Sequence, residues 1–246
     1  MADEREGRLR RAASFGVVAD AYERARPGYP DDAVRWLAGD EPCDVVDLGA
    51  GTGKLTRSLV ALGHRVTAVE PLEEMLEQLR RAVPGATAVS GSAEAIPLPD
   101  GLSDVVTCAQ AFHWFDQAVA LPEIARVLRP GGRIAIATED PESFERVWFT
   151  PFFPSVPAID GARFPARETL TDELTAAGFG AVEIEPLRQH RVLTREKAID
   201  IIRSKAFSTF DLLPREEYSE GLARAEAELP ASFEYQFVWL LAGASR

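Results

Sequence analysis

The stretch that decides the fold is VVDLGAGTGKLTRSL, residues 45–59. An apolar strand pattern leads into an acid, three glycines then stand at alternate positions, and a helical pattern follows. Glycines at this spacing let the backbone turn tightly and approach a ligand closely at the carboxyl end of a strand. The stretch therefore predicts a strand–loop–helix unit that holds a small molecule.

The spacing of the glycines distinguishes three kinds of glycine-rich loop. A phosphate-binding P-loop needs G-x-x-x-x-G-K-[ST], and leucines occupy two of its required positions here. A dinucleotide-binding loop needs G-x-G-x-x-G, and Lys54 stands at its third glycine position. What remains is D-x-G-x-G-x-G, formed by Asp47, Gly49, Gly51 and Gly53. The acid ahead of the glycines favours a ligand with a positive charge there, such as an ammonium group, over a pyrophosphate.

A second acid, Glu70, ends the next strand pattern, HRVTAVEP. A carboxylate at this place can accept hydrogen bonds from both hydroxyls of a ribose. The alternative is a solvated acid at the start of the following helix, near Pro71. Together with the glycine loop, Glu70 favours a ligand that contains a nucleoside.

Strand and helix patterns alternate around this loop. The strand patterns are CDVVDLGA, HRVTAVEP, GATAVSG, LSDVVTCAQ and GRIAIATE, and helical patterns cover residues 54–62, 72–83 and 117–128. Because near-continuous runs of Val, Ile and Ala need burial on both faces, these strands predict a parallel sheet covered by helices on both sides. Later patterns predict a helix over 167–177, a sixth strand in AVEIEPLRQHRVL, two further helices and a last strand in SFEYQFVWLLAGA.

Composition limits the class of protein. The chain has 246 residues, 46% of them hydrophobic, which predicts a single domain over residues 1–246 with a sizeable core. No apolar run approaches the roughly 20 residues of a membrane span. The net charge of −12 disfavours binding to nucleic acid. The first residues lack the apolar core of a signal peptide, and Cys43 and Cys108 lie in apolar strand patterns, so we expect reduced thiols and a cytoplasmic location.

Over roughly residues 15–136 the chain resembles the class I S-adenosylmethionine-dependent methyltransferases. VVDLGAGTG resembles their first motif, VTAVEP their ribose motif, GSAEAIPLPDGLSDVV their adenine motif and LRPGGRIAI the start of their fifth strand. The resemblance implies an α/β, Rossmann-like, doubly wound sheet of seven strands with helices on both faces. This sheet would be mostly parallel, with an antiparallel last strand inserted between the fifth and sixth. The implied cofactor is S-adenosyl-L-methionine, and its product is S-adenosyl-L-homocysteine.

The resemblance also implies which residues bind the cofactor. Asp47 and the glycines would hold the methionine end, Glu70 the ribose, and Met75 would pack on the adenine. Ser92 stands where many relatives have Asp, and its hydroxyl can accept a hydrogen bond there without charge assistance. The predicted cofactor-binding residues are Tyr22, Arg26, Asp47, Gly49, Ala50, Gly51, Gly53, Glu70, Pro71, Met75, Ser92, Ala93, Glu94, Gln110 and Ala111.

Two further stretches resemble the branch that contains the trans-aconitate methyltransferases. They are AYERARPGYP, residues 21–30, and AQAFHWFD, residues 109–116. In that branch the N-terminal helix closes over the cofactor, which implies that Tyr22 and Arg26 share one helix face and that Arg26 pairs with the cofactor carboxylate. The alternative for Arg26 is a solvated arginine. The predicted organisation is N-terminal cofactor-covering helices over 1–40, a cofactor-binding core over 41–139, a substrate-side insert with helices over 140–232 and a last strand over 233–246.

His113 lies in the loop after the fourth strand pattern, and three roles fit it: a general base for a hydroxyl acceptor, a polar wall of the pocket, or a structural side chain. The stretch over 140–165 is rich in proline and aromatic residues. It predicts a lid or pocket wall, with simple packing over the sheet edge as the alternative. The predicted catalytic residue is His113, and the predicted substrate-binding residues are His113, Trp114, Trp148 and Phe152.

The charged side chains that would bind a substrate are harder to identify from the sequence. Four arginines are candidates for binding an anionic substrate, and the sequence does not select among them: Arg163, Arg167, Arg188 and Arg191. No spacing of His, Cys and Asp typical of a metal site is present, so we expect no metal.

Together with these patterns, the resemblance implies an enzyme that transfers a methyl group from S-adenosylmethionine to an oxygen, carboxylate or hydroxyl, of a small organic molecule. The reaction is an in-line displacement, so alignment of the two reactants supplies much of the rate. We expect a monomer or homodimer without nucleic-acid or membrane partners. The alternatives are a methyltransferase of a protein or RNA, and a cofactor-binding protein with no methyl transfer.

Overall fold

The computed structural model describes residues 28–246. The predicted roles of Tyr22 and Arg26 lie outside the described residues. Within the described part of the chain, no helix has the length and apolar character needed to cross a membrane.

A seven-stranded sheet with the order β3-β2-β1-β4-β5-β7-β6 forms the centre of the fold. Its strands are β1 (Asp44–Leu48), β2 (Arg65–Glu70), β3 (Thr87–Ser90), β4 (Ser103–Ala109), β5 (Leu128–Glu139), β6 (Gly180–Thr194) and β7 (Ser232–Ser245). The first five strands pair in parallel, and β7 runs antiparallel to both of its neighbours, β5 and β6. The doubly wound, mostly parallel sheet and the inserted last strand are therefore confirmed.

Eight α-helices connect these strands in the described part of the chain. They are α1 (Asp31–Ala38), α2 (Lys54–Ala61), α3 (Glu73–Ala82), α4 (Gln117–Val127), α5 (Val156–Gly161), α6 (Arg167–Ala176), α7 (Arg195–Arg203) and α8 (Arg215–Glu228). The four helices predicted at 54–62, 72–83, 117–128 and 167–177 are α2, α3, α4 and α6. Their bounds agree with the prediction to within one residue at each end.

The core lies on both faces of the sheet. Val45 and Val46 are adjacent in β1, and each is only 1% exposed. Because successive strand residues point to opposite faces, this burial requires a cover on each side. Val46 belongs to a cluster that includes Ile124 of α4, and Val45 to a second cluster that includes Leu37 of α1 and Leu59 of α2. The runs of Val and Ile in the sequence are explained by this two-sided burial.

The aromatic stretch over 140–165 forms a third cluster with α7 and α8. Phe149 and Phe153 are buried there, and the ring centroid of each lies close to that of Phe210, at 5.1 and 5.3 Å. Helix α8 approaches so closely that a Cβ on Gly221 would lie 2.3 Å from a ring carbon of Phe153. This stretch therefore packs against α7 and α8, and Trp148 and Phe149 within it also line the pocket described below.

Candidate active site

The glycine loop joins β1 to α2 at the carboxyl end of the sheet. Gly49, Gly51 and Gly53 have φ values of 71°, 57° and 87°, in the left-handed region that favours glycine. A Cβ on Gly49 would lie 2.6 Å from the Cβ of Ala111, so this glycine lets the loop pack against the end of β4. A Cβ on Gly51 would meet only the sulfur of Met75, at 3.8 Å, among the described residues. Gly51 therefore leaves one side of the loop open to a ligand.

Asp47, the acid ahead of the glycines, is 1% exposed. Its carboxylate accepts a hydrogen bond of 2.6 Å from the hydroxyl of Thr56 and one of 3.0 Å from the hydroxyl of Thr107. Burial raises the pKa of Asp47 to about 6, although these hydrogen bonds oppose the shift. The role predicted for Asp47 at the methionine end of the cofactor stays a prediction. The carboxylate is enclosed by two threonines and fixes the loop between β1, α2 and β4.

Glu70 ties the loop to the end of β2. Its carboxylate accepts hydrogen bonds from the backbone N–H groups of Gly51, at 2.9 Å, and Leu72, at 3.0 Å. Burial raises the pKa of Glu70, and these two N–H groups counteract that effect. Since a carboxylate has about four acceptor positions, lone pairs remain on Glu70 for hydroxyl groups of a ligand. The backbone N–H groups of Gly49 and Ala50 both donate to the carbonyl oxygen of Val69, which holds the loop over the same strand.

The predicted adenine side of the site lies next to β3. Met75 is 6% exposed and Ala93 is 3% exposed, so both offer apolar surface, while Ser92 is half-buried. Glu94 has a structural partner, because its carboxylate accepts a 2.9 Å hydrogen bond from the backbone N–H of Asp116, just before α4. Pro71 is exposed at the turn after β2.

Gln110 follows β4 directly and has an unusual conformation. Its φ is 55°, which is rare for a residue with a side chain, and its N–H donates a 2.7 Å hydrogen bond to the carbonyl oxygen of Ala137. The amide oxygen and nitrogen of its side chain are buried, and neither has a hydrogen-bond partner among residues 28–246. Buried polar groups are normally paired, so this amide marks Gln110 as a candidate ligand contact.

A pocket that is open to solvent lies beside Gln110. The space between its walls, including the solvent at its mouth, is about 850 Å³. Lys54, the residue that follows the glycine loop, lines it together with Trp148 of the aromatic stretch. A wall from the β6–β7 ribbon includes Arg191 and Tyr235. The pocket therefore adjoins the loop at the carboxyl end of the sheet, where α/β folds bind ligands.

The predicted substrate-binding residues do not all line this pocket. Trp148 lines the pocket, whereas His113, Trp114 and Phe152 are not among its lining residues. The ring of His113 packs 4.1 Å from that of Phe164 and 4.9 Å from that of Trp114, centroid to centroid. The ring of Phe152 is buried in the third cluster with α7 and α8, and its substrate contact stays a prediction.

Apart from Arg191, the residues of the β6–β7 ribbon that line the pocket were not among the predicted site residues. Tyr235, Phe237 and Trp239 alternate along β7 and line the pocket, as does Arg191 of β6. The alternation of aromatic residues in SFEYQFVW was the available signal, since a strand places every second side chain on one face. No group of three or more His, Cys, Asp or Glu side chains in the described part of the chain is placed to hold a metal ion.

Comparisons with known proteins show the family of this chain. The family described as a methyltransferase domain matches residues 46–136. An uncharacterized methyltransferase of Mycobacterium bovis is 42% identical over 194 residues, which cover 79% of this chain and 77% of the relative. A malonyl-[acyl-carrier protein] O-methyltransferase of Methylococcus capsulatus is 34% identical over 187 residues, which cover 70% of this chain and 66% of the relative.

Solved structures share the fold. A protein from an antibiotic biosynthesis pathway of Anabaena variabilis has a TM-score of 0.69 at 23% identity, over 86% of this chain and 95% of that one. A phosphoethanolamine N-methyltransferase of Haemonchus contortus, solved with S-adenosylhomocysteine, has a TM-score of 0.63 at 16% identity, over 97% of this chain and 59% of that one.

The seven-stranded sheet and the match to the methyltransferase domain identify a class I S-adenosylmethionine-dependent methyltransferase. The chain belongs to the methyltransferase family, as its 42% identity to the mycobacterial relative over most of both chains shows. The predicted enzyme class is confirmed.

Proposed function

We propose that this enzyme transfers the methyl group of S-adenosylmethionine to an oxygen of a small organic molecule, with a carboxylate preferred over a hydroxyl. The observation that carries the proposal is the aromatic pocket beside Lys54 and Gln110. Its apolar walls with a few polar groups are typical of sites for small molecules. The net charge of −12 argues against RNA as the acceptor.

The residues around the glycine loop fit S-adenosylmethionine. Glu70 keeps lone pairs for the two ribose hydroxyls, Gly51 leaves the loop open on one side, and Met75 provides apolar surface for the adenine. When bound, this cofactor supplies a methyl group that its sulfonium centre has already activated. Asp47 contributes by holding the loop in place through Thr56 and Thr107.

The chain's own task is to hold the acceptor in line and to exclude water. The hydroxyl of Tyr29 donates a 3.2 Å hydrogen bond to the carbonyl oxygen of Ala109, which fixes this aromatic side chain of the pocket at the end of β4. The buried amide of Gln110 can donate to or accept from a polar group of the acceptor. A carboxylate acceptor is ionised near neutral pH, so its methylation needs no proton transfer.

Two similarities support oxygen as the acceptor atom. The relative of Methylococcus capsulatus is by name an O-methyltransferase. The stretch AQAFHWFD, residues 109–116, resembles the branch that contains the trans-aconitate methyltransferases.

The test combines the enzyme with methyl-deuterated S-adenosylmethionine and a pool of small organic acids, phenols and alcohols, and detects labelled products by mass. Mild alkaline hydrolysis then separates the two oxygen chemistries, because a methyl ester releases labelled methanol and a methyl ether does not. We expect an ester, and Glu70→Ala serves as the variant with impaired cofactor binding. Labelling of proteins or RNA without any labelled small molecule would overturn the proposal.

A further inference from the structure

We propose that the acceptor carries an anionic group in addition to its apolar or aromatic body, and that Arg191 in the β6–β7 wall of the pocket binds this group. The inference rests on the proposed function and names the chemical class of its substrate. The anion can be a carboxylate, a sulfonate or a phosphate, because a guanidinium group presents its planar fork of donors to each of them.

The register of the two strands places Arg191 among aromatic rings. In the antiparallel ladder, Arg191 pairs with Tyr235, Gln189 with Phe237, and Leu193 with Phe233. Directly paired residues lie on the same face of a sheet. The face of the ribbon that carries Arg191 therefore combines aromatic and aliphatic side chains with the neutral amide of Gln189.

Neutral groups orient the guanidinium. The side-chain oxygen of Gln189 accepts a hydrogen bond from Arg191 and a second one, of 3.0 Å, from the indole N–H of Trp239. The guanidinium carbon also lies 5.6 Å from the ring centroid of Phe237. Because Trp239 fixes Gln189, the guanidinium is held in the pocket wall while most of its five donors stay available.

The positive charge of Arg191 is not neutralised by a carboxylate within residues 28–246, because Arg191 makes none of the ion pairs found there. A half-buried guanidinium that contacts only neutral groups can gain a charge-assisted hydrogen bond from an anionic ligand. An anionic group of the acceptor is therefore expected at Arg191.

The other three candidate arginines are less suited to bind an anionic group in the pocket. Arg163 pairs with Asp160 at 3.1 Å, and Arg167 pairs with Asp140 at 3.4 Å. Arg188 lies on β6 at an exposed position of opposite parity to Arg191 and is not a lining residue of the pocket. The structure thus selects one of the four arginines that the sequence left equivalent.

The test uses two fluorescent probes with nearly the same aromatic framework. One is 8-anilinonaphthalene-1-sulfonate, which is anionic, and the other is N-phenyl-1-naphthylamine, which is neutral. We expect Arg191→Gln to weaken binding of the anionic probe about 10- to 100-fold and that of the neutral probe less than about 3-fold. Arg191→Lys should restore part of the anion affinity. Arg188→Gln removes the same charge from the same strand outside the pocket, and should change neither affinity. Melting temperatures confirm that each variant is folded.

Unchanged affinity for the anionic probe in Arg191→Gln, or an equal loss in Arg188→Gln, would overturn the inference. The probes need no methyl donor, so this result is independent of whether methyl transfer is detected. Once a substrate is identified by mass, its KM should rise in Arg191→Gln while kcat changes less. A neutral substrate whose KM is unaffected by Arg191→Gln would preserve the proposed function and overturn the anion site.

Discussion

The backbone N–H of Gly51 donates a hydrogen bond of 2.9 Å to the carboxylate of Glu70, and so links the centre of the glycine loop to the last residue of β2. In the proposed function, the lone pairs that remain on Glu70 accept from the ribose of the cofactor. Its hydrogen bonds within the protein hold the carboxylate in place before a cofactor arrives, which reduces the entropy lost on binding.

Replacement of Glu70 should therefore weaken cofactor binding in a graded way. We expect S-adenosylmethionine to bind wild-type protein in the micromolar range, at about −8 kcal/mol. Glu70→Ala should cost about 1–3 kcal/mol through loss of hydrogen bonds to the ribose, and Glu70→Gln should cost less because one acceptor oxygen remains. Isothermal titration calorimetry measures both, with NAD and ATP as competitors that should have no effect. Equal affinities in wild type and Glu70→Ala would show that Glu70 does not hold the ribose.

Asp47 should make the stability of the protein depend on pH. Its pKa is raised to about 6 by burial, so between roughly pH 4 and 6 the folded protein keeps a proton that the unfolded chain has lost. The free energy of unfolding contributed by this group therefore falls as the pH rises through that window and is constant above it. Relative to Asp47→Asn, we expect wild type to lose about 2 kcal/mol between about pH 4 and 7 in urea titrations.

The control for this measurement is Asp44→Asn. Arg65 and Arg129 lower the pKa of Asp44 through hydrogen bonds, so its contribution to stability should rise with pH instead. A difference between wild type and Asp47→Asn that does not change with pH would mean that the Asp47 carboxylate keeps one protonation state over this range.

Gly221 should be intolerant of alanine although it lies inside helix α8. Alanine normally stabilises a helix by up to about 1 kcal/mol relative to glycine. Here its Cβ would lie 2.3 Å from a ring carbon of Phe153 and 2.6 Å from the carbonyl oxygen of Phe152, so Gly221→Ala should destabilise the protein by about 1–3 kcal/mol. The matched control is Gly161→Ala, at the end of α5, where nothing lies within 4 Å of an added Cβ. Thermal denaturation measures both variants. A higher melting temperature for Gly221→Ala than for Gly161→Ala would refute the packing of α8 on the aromatic stretch.

His113 should be more important for packing than for proton transfer. Its ring contacts those of Phe164 and Trp114, and it is not among the lining residues of the pocket. With a carboxylate acceptor, we expect His113→Ala to lower kcat less than tenfold and mainly to raise KM. The kcat of both proteins is measured across the pH range. A fall of 10²–10⁴-fold, together with loss of the acid limb of the wild-type profile, would establish His113 as a general base for a hydroxyl acceptor.

The sequence by itself determined the sheet and the position of the loop. The strands β1 to β5, the helices α2, α3 and α4 and the glycines of the loop were all predicted from local patterns. These patterns are reliable here because burial on both faces restricts a strand to apolar residues, and because positive φ values restrict Gly49, Gly51 and Gly53 to glycine.

Only the tertiary structure decided which side chains meet. Asp47 has the residue type of an ammonium ligand, but Thr56 and Thr107, which come from α2 and β4, enclose it. Of the four candidate arginines, Arg191 alone was placed in the pocket, because β7 pairs with β6 in a register that sets it opposite Tyr235. Local sequence patterns specify burial and backbone conformation, whereas the partners of a polar side chain depend on strands that are distant in the chain and adjacent only in the fold.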